Sequence, residues 1–316
     1  SAADDFSLRP LCDVDRLIFA QLSYCDFLPA MPFAPCPLPQ AIRAMLAAAP
    51  SPDASEKRFA FQRSDDQRLL SLLLHAPRYA RIMFMDFTRL LCPDGQQFAA
   101  LTLAIDGARL LATRGTDNTL AGWKEDLALS CQPCIASQQE ALRYLLRQAQ
   151  AHPGALSLCG HSKGGNLALY AALHAPADVQ DRLACAVSFD GPGLPSETLE
   201  RLLTPVLAAR TRVLLPEGSL IGILFSQPPQ VRTIACKWMG PMQHYPYFWQ
   251  VEDGGFVDSH QTLFSRAAAL TMEKWLLRLT LAQREQFTEL LFDILQSTQA
   301  QTLNDLVRGW FSNTLP

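Results

Sequence analysis

Residues 155–168 read ALSLCGHSKGGNLA, and this stretch decides the fold. Ala155 to Cys159 is an apolar run of strand length, Lys163 to His174 has a helical period, and Gly160-His161-Ser162-Lys163-Gly164 between them fits G-x-S-x-G. Small residues two before and two after the serine let strand and helix approach closely, and the strained turn presents the serine hydroxyl. Ser162 is therefore the candidate nucleophile. The helix opening at Lys163 aims its first amides and the positive end of its dipole at the turn, which makes the Lys163 amide the first candidate oxyanion donor.

Working outward, Ala136 to Gln150 reads as a helix and Leu183 to Phe189 as a strand, so the order strand, helix, strand predicts a parallel sheet with crossover helices. Thr211 to Leu215 and Val231 to Cys236 continue the strand series. On the N-terminal side, Phe98 to Ile105 and Arg109 to Thr113 flank Asp106-Gly107, the strongest short signal for an antiparallel hairpin. The next loop, Arg114-Gly115-Thr116-Asp117, offers a second oxyanion donor in Thr116, through its amide or its hydroxyl. The charges of Trp123-Lys124-Glu125-Asp126 read as solvated or as bracing that loop.

Asp13 to Phe27 predicts a helix behind an Asp13 N-cap, Pro29, Pro32, Pro35, Pro37 and Pro39 mark connectors, and a short helix follows from Gln40 to Ala49. Helices from Thr262 to Leu281, Arg284 to Gln296 and Leu303 to Phe311 close the chain. The expected architecture is α/β: a mostly parallel central sheet with helices on both faces. Residues 1–96 are expected to form an N-terminal helical extension packed on a core of residues 97–316 that includes the C-terminal helices, all in one structural domain.

The chain has 316 residues, 49% hydrophobic and 18% charged, enough to bury a large core. With 27 basic against 30 acidic residues the net charge is -3, which gives no basic field for nucleic acid or anionic lipid. Nine scattered cysteines point to a reducing compartment and hence to the cytoplasm. The opening SAADDF lacks a methionine and reads as a trimmed end, which leaves room for a removed signal peptide. No apolar run reaches the roughly 18 to 20 residues of a bilayer span. Cys131-x-x-Cys134 stands alone, with Pro133 inside it, and no phosphate-loop pattern is present, so no metal, nucleotide or other cofactor is expected.

Arg114-Gly115-Thr116 with Trp123 to Asp126, GHSKGGNLA at 160–168, FDGPG at 189–193, and Gln243-His244 followed by Trp249-Gln250-Val251 resemble the Mbeg-like family of α/β-hydrolases. That family is itself similar to the fungal-type class three lipases. The resemblance implies an α/β-hydrolase fold with serine, acid and histidine in that chain order. Asp190 directly follows a strand and is the favoured acid. In class three lipases the acid lies after the next strand, where Ser219 stands here, and this departure keeps Glu217 as the alternative. For the base, His161 lies inside the elbow and His75, His152 and His174 precede it or end helices, leaving His244, among prolines and aromatics, ahead of His260.

The expected activity is a serine hydrolase, lipase-like or esterase-like, that cleaves a small-molecule ester or lipid through an acyl-enzyme. Two alternatives stay open: an inactive binding or scaffold protein on the same fold, and an amide or thioester hydrolase. Leu220 to Phe225 and Met239 to Trp249 supply an apolar wall or lid around the histidine loop, or simply core. Cys159 and Cys185 read as small core residues.

Overall fold

The computed structural model describes residue 6 and residues 8–48, 60–91, 97–117 and 119–298, with positions 300, 302 and 305. Its strands are β1 (Cys36–Pro37), β2 (Met83–Leu91), β3 (Gln97–Ile105), β4 (Ala108–Thr113), β5 (Leu156–His161), β6 (Leu183–Phe189), β7 (Thr211–Pro216), β8 (Val231–Ile234), β9 (Val251–Glu252) and β10 (Gly255–Phe256). Its helices are α1 (Asp13–Leu22), α2 (Leu38–Ala47), α3 (Ala60–His75), α4 (Leu120–Ala128), α5 (Ala136–Ala151), α6 (Lys163–His174), α7 (Ala177–Asp181), α8 (Ser196–Leu202), α9 (Pro205–Arg210), α10 (Leu263–Arg278) and α11 (Leu281–Ser297). Strands β1 to β8 lie side by side in chain order, antiparallel from β1 to β4 and parallel from β4 to β8. With helices on both faces and an elbow between β5 and α6, this is an α/β-hydrolase fold.

The two-residue period of the strands sorts their side chains onto two cores. Leu101 and Leu103 of β3, Leu110 and Ala112 of β4, and Cys159, Cys185 and Val187 face one core, which α1, α2 and α3 complete with Phe19, Leu22, Ile42 and Leu73. Ala100, Leu111, Leu158, Ala186 and Val213 face the other, which is covered by Tyr144 and Leu145 of α5 and by the buried residues of α6. The N-terminal helices thus form most of one layer of the sandwich, which Cys236, Trp249 and Phe256 complete. Asp106 (φ 48°) and Gly107 (φ 78°) are both left-handed, as the primed turn of the β3–β4 hairpin requires.

Several elements differ from the sequence reading. The segment 1–96 is not wholly helical, because β1 and β2 add two strands to the sheet and β2 pairs with β3 along its length. A bulge between Phe84 and Asp86 leaves Phe84 and Phe87 buried three residues apart, which hides the strand's period of two. Asp13 is the first helical residue of α1, whose N-cap is Cys12, and Asp15 accepts the Cys12 amide at 2.9 Å. Helices α3 and α4 were not foreseen. The helix expected from Leu303 to Phe311 lies outside the described residues except for position 305. No helix among the described residues is long and apolar enough to cross a membrane.

Candidate active site

Ser162 caps α6 with φ 59° and ψ -135°, a conformation that costs a non-glycine residue energy. The turn is held from both sides: its amide donates to the Phe189 carbonyl at 2.9 Å and its carbonyl accepts the Gly165 amide at 2.8 Å. A side chain at position 160 would collide with the Gly164 carbonyl, and one at 164 with the backbone of Thr113 and Arg114, so both glycines are dictated by close approach.

Asp190 follows β6, again with a left-handed φ of 49°, and its amide donates to Leu214 of β7 at 2.9 Å. Its carboxylate is fully buried. Oδ2 accepts from His244 Nδ1 at 2.7 Å, while Oδ1 accepts from the Ser219 hydroxyl at 2.5 Å and the Gly222 amide at 3.2 Å. The loop after β6 therefore supplies a carboxylate to the histidine, and the loop after β7 braces that carboxylate with a hydroxyl and an amide. His244 ends a short 3-10 turn, Gly240–His244, and its side chain is 30% exposed. Gln243 secures this loop: its Oε1 accepts the Gly218 amide and its carbonyl accepts the Trp249 indole N–H, each at 2.7 Å.

Glu217 and His260 are not brought to this cluster. Glu217 accepts from the Ser259 hydroxyl at 2.5 Å, and His260 is exposed ahead of α10.

On the other side of the serine, Thr116 is held by Asp126, whose two oxygens accept its hydroxyl at 2.7 and 2.6 Å. That commitment leaves the amide, not the hydroxyl, as the group Thr116 can offer. Asp117 bonds Thr119 within its own loop. The Lys163 side chain is 1% exposed, with its ammonium 2.7 Å from Glu125 and 3.4 Å from Asp126. Desolvation pushes the Asp126 carboxyl above its ordinary range, and the Lys163 charge and the Thr116 hydroxyl pull it back. Glu125 also accepts the Ser137 amide at 3.1 Å. The two candidate oxyanion residues are thereby joined through one buried ion-pair network, a role for Glu125 and Asp126 that goes beyond solvated charge.

Ser162, Thr116, Lys163 and His244 all line one cavity of about 480 Å³. Ile221, Leu224, Phe225, Pro241, Met242 and Tyr245 form the wall anticipated around the histidine loop. Sequence reasoning missed the roof, made by Met272, Trp275 and Leu276 of α10 and by Phe287 of α11. Its signal was an excess of large apolar side chains on both helices: Leu277 remains 76% and Leu290 61% exposed. Also missed was Tyr24, which reaches the cavity from just past α1. Among the described residues, no group of three or more His, Cys, Asp or Glu side chains is arranged to hold a metal ion.

Compared with known families, residues 73–293 match the Mbeg1-like model, well over half of the chain. The chain belongs to the Mbeg1-like family. No curated protein sequence matches it significantly. Among solved structures, this Mbeg1-like chain is similar to M37 lipase (13% identity, 81% of this chain and 77% of that one, TM-score 0.42). It is also similar to a fungal lipase (9% identity, 83% and 92%, TM-score 0.45) and to the Rhizomucor miehei lipase propeptide complex (14% identity, 72% and 69%, TM-score 0.38).

Proposed function

We propose that the protein is a serine hydrolase that cleaves a carboxylic ester through Ser162, His244 and Asp190. The observation that carries this reading is the 2.7 Å hydrogen bond from His244 Nδ1 to a fully buried carboxylate, in a cavity that Ser162 also lines. Asp190 only accepts, so Nδ1 carries the proton and Nε2 is left to take the proton of the serine hydroxyl. Ser162 attacks the ester carbonyl, the imidazolium that forms is balanced by Asp190, and the Lys163 and Thr116 amides receive the oxyanion. Collapse expels the alcohol, protonated by His244. Water then repeats the sequence on the acyl-enzyme and releases the acid.

The apolar wall and roof fit a small-molecule ester or lipid with a substantial apolar part. The eight free cysteines among the described residues fit a reducing, cytoplasmic setting. A fluorophosphonate probe tests the reading: wild type is labelled, Ser162→Ala is not, and Asp190→Asn slows hydrolysis of a short-chain ester by about 10³-fold or more. Wild-type protein that takes no label but is stabilised by lipid would instead be a binding protein on this fold.

A further inference from the structure

His161 takes no part in the chemistry above, yet its ring lies between the base and the N-terminal segment. Its Nε2 is 2.9 Å from the His244 carbonyl oxygen, and the two rings are tilted by 32° with centroids 4.6 Å apart. A carbonyl oxygen only accepts, so Nε2 carries a proton; in the neutral ring Nδ1 is then bare and must accept. The Tyr24 hydroxyl is 3.1 Å from that Nδ1 and 3.4 Å from the His161 carbonyl oxygen, so it donates its hydrogen bond to the nearer nitrogen. The same hydroxyl fills the space a side chain at position 115 would need, which sets it against the loop that carries Thr116. Tyr24 lies outside residues 73–293, the part of the chain that matches the family.

We propose that Tyr24, acting through His161, is a positioning residue that fixes the His244 imidazole relative to Ser162. The inference rests on the reading of Ser162, His244 and Asp190 as a triad. Asp190 anchors the base by its ring, and His161 anchors the backbone of the same residue, closer to the imidazole than the loop contacts of Gln243, Tyr245 and Tyr247. A displacement of about 1 Å between reacting groups costs on the order of 10²-fold in rate, and one lost anchor should cost part of that.

The test uses the whole chain, with p-nitrophenyl butyrate hydrolysis and the rate of fluorophosphonate labelling as readouts. Tyr24→Phe keeps the ring and removes the donor; kcat and labelling rate fall about tenfold while KM stays within about twofold. His161→Phe falls further, and His161→Gln, whose amide still donates to the His244 carbonyl, recovers part of the loss. Adding Tyr24→Phe to His161→Phe changes nothing more, because the path is already cut. Wild-type rates in Tyr24→Phe, a loss confined to KM, or losses that simply add overturn the proposal; Tyr24→Phe alone decides it if His161→Phe does not fold. If wild type itself takes no label, the triad reading falls and this inference with it; if wild type labels and Tyr24→Phe keeps pace, the inference alone falls.

Discussion

A lysine that is 1% exposed survives beside Ser162 because Glu125 lies 2.7 Å from its ammonium and is itself bonded to the Ser137 and Gln97 amides. Removing one partner of such a pair strands the other charge in a poorly solvated place, at a cost of about 3–5 kcal/mol. Lys163→Met should therefore lower the unfolding free energy by about that amount, read from urea denaturation, and slow Ser162 labelling because Thr116 loses its tie to the elbow. Ser162 and Asp190 were legible as residue types at strand ends, and His244 as a histidine on a loop among prolines and aromatics. The burial of Lys163 was not, since a lysine in the first turn of a helix ordinarily reaches water and only the position of Glu125, 38 residues earlier, says otherwise. The Tyr24 contact was hidden for the same reason: nothing local couples residues 137 apart.

At the scale of elements, the histidine loop is latched to α3 by two tyrosines. The Tyr245 hydroxyl donates to Asp65 at 2.7 Å and the Tyr247 hydroxyl to Asp66 at 2.9 Å. Replacing both tyrosines by phenylalanine keeps the packing and removes the latch. The expected cost is about 1–3 kcal/mol, with faster amide exchange across residues 240–249 in hydrogen-exchange mass spectrometry. Unchanged exchange there would mean that Gln243 and Trp249 hold the loop without help. Strands β5 and β6 were readable as short apolar runs bounded by turn residues, and helix α6 as the segment that opens directly after the glycine-rich turn. Strand β2 was not, because its bulge replaces the alternation that reading depends on.

Over the whole molecule, α1 is fastened to the segment between α3 and β2 through a buried carboxylate. Asp15 of α1 accepts from the Arg78 guanidinium at 2.9 and 2.6 Å and from the Tyr79 hydroxyl at 2.9 Å. Burial by itself would raise its pKa, but the hydrogen bonds from Arg78, Cys12 and Tyr79 outweigh it and hold the carboxyl below its ordinary range. A depressed folded-state pKa stabilises the fold fully above the unfolded value of about 3.9 and loses that contribution as pH falls through the folded value. Urea midpoints should therefore drop below about pH 4, and Asp15→Asn, already weakened at neutral pH, should show a shallower drop. Layer order was legible from the alternation of strands and helices. That residues 13–48 cover one face together with α3 was not, because their apolar residues name no partner until the sheet exists.

That layering sets a schedule for synthesis. The helices that cover one face leave the ribosome before β3 to β7, and Tyr24 waits for His161, 137 residues later. At typical elongation rates of about 5–20 residues per second, the wait is roughly 7 to 30 s. During that interval Phe19, Leu22 and Ile42 have no sheet to bury against, so the nascent chain offers chaperones an apolar target that the finished protein conceals.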